Sequence, residues 1–171
     1  ISYALTPFSL FLCAVFVLLN KYTKQKNLTI STIINNRYTS NSFNLVGDFT
    51  NLVYLNMNID NDSLQSIART VWKEITMVIK HGRYPNYELL NSIDAPGLSQ
   101  IGMVYHTYSN SKDLINNLNI RDTFNYQIEF DICQIPEQAL MLEVIELNSS
   151  YILFFKYNAN QFSEYNIHTI S

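Results

Sequence analysis

Residues 45–60 read LVGDFTNLVYLNMNID, from Leu45 to Asp60. Val53, Leu55, Met57 and Ile59 fall at every second position, with Leu52 beside them, which is the alternation of a strand with one buried face. The strand is expected over Phe49–Ile59, yet it is entered through Gly47, Asp48, Phe49 and Thr50. Glycine weakens strands and aspartate is depleted in them, so this entrance calls for a turn or a specific task. A turn is the commoner reason.

The pattern changes period just downstream. Leu64, Ile67, Ala68, Val71, Trp72, Ile75 and Val78 recur at spacings of three and four, which predicts a helix capped by Asp62 or Ser63. Upstream, NLTISTII predicts a strand over Asn27–Ile34, followed by a loop over Asn35–Leu45. The N-terminal run ISYALTPFSLFLCAVFVLLN is apolar without a break only from Leu10 to Leu19, too short to cross a bilayer. Its basic residues, Lys21, Lys24 and Lys26, follow the apolar run, the reverse of a signal peptide. A buried helix fits instead, started by Thr6 as cap and Pro7 at the first helical position. The trailing lysines then suit the negative end of the helix dipole. A chain that opens on Ile also reads as a piece of something longer.

The remaining elements continue the mixed alternation. A short helix is expected over Tyr87–Ile93 after Pro85, then a buried strand IGMVYHTY over Ile101–Tyr108, then a polar loop over 109–122. Three strands are expected at Phe124–Cys133, Ala139–Leu147 and Tyr151–Tyr157, the last two joined by a hairpin loop at Asn148-Ser149-Ser150. A final amphipathic helix covers Phe162–Ile170. No repeat or linker is visible, so the chain reads as one compact α/β unit.

Composition narrows the function. Of 171 residues 47% are hydrophobic, enough for a core. Eleven Lys plus Arg against fourteen acids give a net charge of −3, which excludes the basic patch that nucleic-acid binding needs. Cys13 and Cys133 stand far apart in apolar surroundings and read as core thiols of a reducing, cytoplasmic compartment. Four scattered glycines form no phosphate loop, and His81, His106 and His168 have no metal-ligand spacing.

Three residues stand out within apolar strands. His106 interrupts VYHTY; a lone histidine there is more commonly a core or lining residue than a catalyst. Thr107 beside it is more ordinary still. Glu143 lies within ALMLEVIEL; pointing inward it would be tuned for proton transfer by desolvation, and pointing outward it is only the polar half of an alternation. Pattern alone leaves its face open, with the outward role the commoner.

The order of these segments resembles a known family. LTPFSLFLCAVFVLLNKYT resembles the helix that opens the C-terminal lobe of condensation-type domains of nonribosomal peptide synthetases, and LTISTIINNR resembles the strand after it, with its Asn-Arg ending. GDFTNLVYL resembles the Gly-Asp-Phe-Thr motif of the heterocyclization subfamily; ordinary condensation domains carry an Asn-Thr pair there. The helix with Trp72, the strand GMVYHTY and the ending FFKYNANQFSEYNI follow in the family's order. The resemblance covers residues 1–171, but only the second half of a complete domain.

That resemblance implies one lobe of a chloramphenicol-acetyltransferase-like fold, a mixed sheet flanked by helices, with the N-terminal lobe absent. It implies partners: carrier proteins bearing substrates on phosphopantetheine arms, the missing lobe and an adjacent adenylation domain. No directly bound cofactor or metal is expected. In the heterocyclization subfamily an aminoacyl thioester is joined to Cys, Ser or Thr and the product loses water to give a thiazoline or oxazoline. A Thr after the VYHTY-type strand and an Asp on a later strand serve that step. Here strict alignment puts His106 at the Thr position, and a shifted register restores Thr107. For the Asp, counting back from Tyr157 and Asn158 gives Glu143, counting forward from Thr123 gives Glu129, and Asp131 is a further option. These departures keep open an inactive or ordinary condensation-like domain that docks carriers, and a third reading is a stand-alone acyltransferase of the same superfamily. Asp48 is expected to form a buried or half-buried ion pair with Arg37, holding two strands, with Thr50 completing the motif.

Overall fold

The computed structural model describes residues 5–37, 40–60, 62–93, 98–107, 138–147 and 150–171. The loop expected at 109–122, the strand expected at Phe124–Cys133, and with them Glu129, Asp131 and Cys133, lie outside the described residues. The chain divides into two compact units, residues 1–103 with 170, and 104–169 with 171. The division falls within a strand, where no change of composition marks it.

In the first unit, α1 (Pro7–Thr23) leads to β1 (Asn27–Asn35), then come the single turn α2 (Ser40–Phe43), β2 (Thr50–Asn58), α3 (Leu64–His81) and α4 (Asn86–Ile93). The caps follow the sequence signals. Thr6 Oγ1 accepts from Ser9 N–H at 3.2 Å, and Ser63, not Asp62, accepts from Ser66 N–H at 3.2 Å. Helix α1 ends where Lys24 takes a left-handed φ of 60° and its N–H reaches the Asn20 carbonyl. β1 and β2 pair antiparallel from Asn27↔Asn58 to Asn35↔Thr50, and β1 meets β3 (Ile101–Thr107) in parallel at Ser31↔Gly102.

The alternation read in residues 52–59 sets which face is buried. Val53, Leu55, Met57 and Ile59 join Leu28 and Ile30 of β1, Leu12 and Phe16 of α1, and Ile67, Val71 and Ile75 of α3 in the core. Burying a large apolar side chain contributes roughly 1.5–3 kcal/mol. The helical stripe is narrower than its sequence pattern: Leu64 is 66% and Trp72 38% exposed. Three residues per two turns suffice to cover β2. Two glycines are required by geometry. Gly47 takes a φ of +155° at the entrance to β2, where a side chain would be strained, and a Cβ on Gly82 would lie 2.1 Å from Ile34 Cδ1.

The second unit contains the end of β3, β4 (Leu140–Glu146), β5 (Tyr151–Tyr157) and all but residue 170 of α5 (Glu164–Ile170), which starts two residues later than its pattern because Ser163 is its cap. β4 and β5 form an antiparallel hairpin from Leu140↔Tyr157 to Glu146↔Tyr151. The hydrogen-bonded strand order is β2-β1-β3-β4-β5, a mixed sheet. Among the described residues no helix is long and apolar enough to cross a membrane.

Candidate active site

Strand geometry sorts the polar residues of β3, β4 and β5 by parity, because successive side chains point to opposite faces. Glu143 pairs with Phe154 and Met141 with Lys156, so Glu143 and Lys156 stand diagonally on one face of the hairpin. His106 of β3 reaches that same face. Its Nε2 lies 3.1 Å from Glu143 Oε1, and Lys156 Nζ pairs with Glu143 Oε2. The Glu143 side chain is 19% exposed and those of His106 and Lys156 are 38% and 49% exposed. The result is a three-strand chain, Lys156, Glu143, His106, with its carboxylate shielded and its two ends open to solvent.

The opposite face carries a second polar contact. Tyr105 Oη donates to Glu146 Oε2 at 2.8 Å. Burial first, then the neighbouring Glu146 carboxylate, pushes the Tyr105 phenol up from its ordinary value of 10.0. Thr107 shares the parity of Tyr105 and is exposed at the end of β3. Of the two neighbours His106 and Thr107, therefore, His106 is brought to Glu143 and Thr107 is not.

A carboxylate that accepts the Nε2 proton of an imidazole fixes the ring's orientation and stabilises its cationic form, which is how such pairs serve proton transfer. Among the described residues no group of three His, Cys, Asp or Glu is placed to hold a metal. Elsewhere an open depression on the outer side of α3, lined by Arg69, Trp72, Lys73, Thr76 and Met77, offers no carboxylate, thiol or imidazole. The Cys13 thiol is buried, and burial pushes its pKa up, away from a nucleophile's range.

The expected Asp48–Arg37 ion pair is not formed. Asp48 is exposed, and its Oδ1 accepts from Thr50 N–H at 2.8 Å and Thr50 Oγ1–H at 2.7 Å. Those two bonds hold its carboxyl below the ordinary value of 3.8, with Arg37 a smaller contributor. The Arg37 guanidinium turns to the loop instead. It donates to the Leu45 carbonyl at 3.0 Å, to Gly47 at 2.8 Å and to Ser42, and it covers the Phe49 ring at 4.1 Å. The reason is local: a short acidic side chain two residues ahead of free N–H and O–H donors closes a turn, while five guanidinium donors match a curl of carbonyls. The entrance to β2 is thus a turn, and its Gly-Asp pair is structural.

Sequence reasoning passed over Lys156 and the Tyr105–Glu146 contact. A short loop at 148–150 was legible, and hairpin length fixes register. Carried through as a three-residue loop it pairs Leu147 with Tyr151 and puts Lys156 on the face away from Glu143, whereas the observed register, Glu146↔Tyr151, is one residue different and brings the two onto one face.

A mixed sheet flanked by helices, bearing a histidine–carboxylate pair on its strands, defines a class of α/β domain, and comparison with known proteins narrows it. The family model described as Condensation domain matches residues 2–171. The chain belongs to the condensation-domain family. It is 28% identical over 103 residues to a plipastatin synthase of Bacillus subtilis (strain 168), covering 57% of this chain and 4% of that protein. It is 26% identical over 156 residues to polyketide synthase PksN of the same organism, covering 86% of this chain and 3% of that one. The chain therefore spans a small part of the curated relatives it matches. Its fold is similar to that of holo-AB3403, a four-domain nonribosomal peptide synthetase bound to AMP and glycine, with a TM-score of 0.80 and 22% identity, covering 98% of this chain and 14% of that one. It is similar also to the condensation domain of the monacolin K polyketide synthase MokA, with a TM-score of 0.73 and 18% identity over 96% of this chain and 39% of that one.

Proposed function

We propose that the chain is the C-terminal lobe of a heterocyclization domain in a nonribosomal peptide synthetase, and that His106 and Glu143 carry its ring-closing proton transfers. The supporting observation is their 3.1 Å contact, at two of the positions the resemblance offers for a proton-transfer pair, His106 by strict alignment and Glu143 by counting back from Tyr157. Gly47-Asp48-Phe49-Thr50 adds the subfamily's sequence mark.

In this reading both substrates arrive as thioesters on the phosphopantetheine arms of carrier proteins. The acceptor amine attacks the donor thioester carbon, the C–N bond forms and the arm's thiol leaves. The acceptor's own thiol or hydroxyl then attacks the new amide carbon, giving up its proton to the His106 imidazole as the ring closes. The resulting imidazolium, held by Glu143, returns that proton to the carbonyl oxygen, now an alkoxide, giving a hydroxyl; the imidazole then takes the ring N–H proton and delivers it to that hydroxyl, which leaves as water as C=N forms. A positioned acid and base of this kind contributes about 10²–10⁴-fold. The missing lobe and a neighbouring adenylation domain complete the working enzyme, and the isolated 171 residues should not turn over.

A second reading, a condensation-like or carrier-docking domain without ring formation, draws on the occupation of the threonine position by His106. The test uses the complete two-lobed domain with both carriers loaded, read by intact-protein mass spectrometry. Condensation with loss of one water is expected for wild type and for Thr107→Ala, whose side chain lies on the other face. His106→Ala and Glu143→Gln should stop at the uncyclized peptide. A wild type that never loses water refutes ring formation, and cyclization by His106→Ala at the wild-type rate removes its role.

A further inference from the structure

We propose that Lys156 is a positioning residue for the water-loss step, acting through Glu143. This rests on the heterocyclization reading and deepens it. The observation is the division of one carboxylate between two strands: Lys156 Nζ holds Oε2, and His106 Nε2 lies 3.1 Å from Oε1. A glutamate has two rotatable bonds between its backbone anchor and its carboxyl carbon and one more turning the carboxylate, so a single partner would leave the oxygens free to exchange places. With Oε2 held from β5, the carboxylate plane is fixed and Oε1 is presented to β3. The imidazole is then steered by a partner that is itself steered.

The register requires this arrangement. Lys156 stands opposite Met141, one diagonal step from Glu143, so its extended side chain crosses the hairpin to the carboxylate. It is the more exposed end of the chain, at 49%, and Glu143 the least exposed, at 19%. The ammonium therefore supplies charge from the solvent side while the carboxylate stays shielded, where a pair interacts more strongly than in water. A change of geometry of about 1 Å at such a pair is enough to lower a catalytic step about 10²-fold. Peptide-bond formation, in which the amine attacks a reactive thioester, makes no use of the orientation of His106 towards the amide carbonyl, so the two steps should separate.

The experiment compares wild type, Lys156→Met and Lys156→Arg in the complete two-lobed domain with loaded carriers, following uncyclized and cyclized products with time. Lys156→Met should condense at the wild-type rate and lose water at least tenfold more slowly, accumulating the uncyclized peptide. Lys156→Arg, which restores a cation to Oε2, should recover most of the water loss. Thermal melts of the three proteins identify any variant that fails to fold, and Lys156→Gln then replaces it. A merely structural role would lower both steps together, and Arg would not rescue one of them selectively. Wild-type cyclization with an unchanged product ratio in Lys156→Met overturns the role of Lys156 alone. A wild type that condenses and forms no ring overturns the heterocyclization reading, and this inference with it.

Discussion

Replacing Arg37 tests how the entrance to β2 is held. Arg37→Ala removes three charge-assisted hydrogen bonds to the carbonyls of Ser42, Leu45 and Gly47 and the cover over Phe49. Ser42 is buried, 8% exposed, so its carbonyl loses a charged donor in a place water reaches poorly; such a bond is worth about 1.5–3 kcal/mol. Leu45 and Gly47 are exposed, and their carbonyls return to water at little cost. The ring contact contributes about 0.5–1 kcal/mol at an open site. The expected loss is about 2–4 kcal/mol. Arg37→Lys keeps the charge but brings a point donor in place of a fork, and should cost about half as much. Urea unfolding at equilibrium, followed by the fluorescence of Trp72, the chain's single tryptophan, reads this change within the unit that contains both residues. The decisive arm repeats Arg37→Ala in an Asp48→Asn background. Because Asp48 bonds to Thr50 and not to Arg37, the cost should be the same there. A cost that vanishes with Asp48→Asn would show that the guanidinium serves the carboxylate, and would refute the loop account.

Gly82→Ala should destabilise the chain by about 1–3 kcal/mol, since the new Cβ would sit 2.1 Å from Ile34 Cδ1 and 2.7 Å from the Val78 carbonyl oxygen. Ile34→Val in the same chain removes the first clash and should recover part of that loss, as denaturant midpoints would show; full recovery would mean the Val78 oxygen is no obstacle. Tyr105→Phe should leave the alkaline absorbance titration unchanged through the ordinary tyrosine range near 10, because the Tyr105 phenol stays protonated there. A phenol pushed up by folding adds stability below 10.0 that is lost as pH rises above it, so the stability difference between wild type and Tyr105→Phe should shrink in that direction. A phenolate missing from the variant's titration near pH 10 would contradict the Tyr105–Glu146 contact.

How much of this was legible in the chain depended on the range of the interaction. The caps at Thr6 and Ser63, the alternation of Val53, Leu55 and Met57, the hairpin of β4 and β5 and the helix of residues 64–81 are short-range consequences of dihedral preference and periodicity, and the sequence determined them. For Gly47 and Asp48 the sequence offered a turn as the commoner reason but assigned the Asp48 carboxylate to Arg37, where the structure gives it to Thr50. The sequence misassigned Arg37, because opposite charges near each other suggest a pair, whereas the backbone curl of residues 42–47 offers more acceptors than one carboxylate. Which of His106 and Thr107 meets Glu143 was decided by tertiary structure alone. A slip of one residue in a strand exchanges its faces, and nothing within VYHTY fixes that register. The pairing of Glu143 with Phe154 placed Glu143 and Lys156 on one face of the hairpin, and only the strand order brought His106 to it, because β3 is distant in sequence from β4 and must be laid beside it before parity becomes proximity.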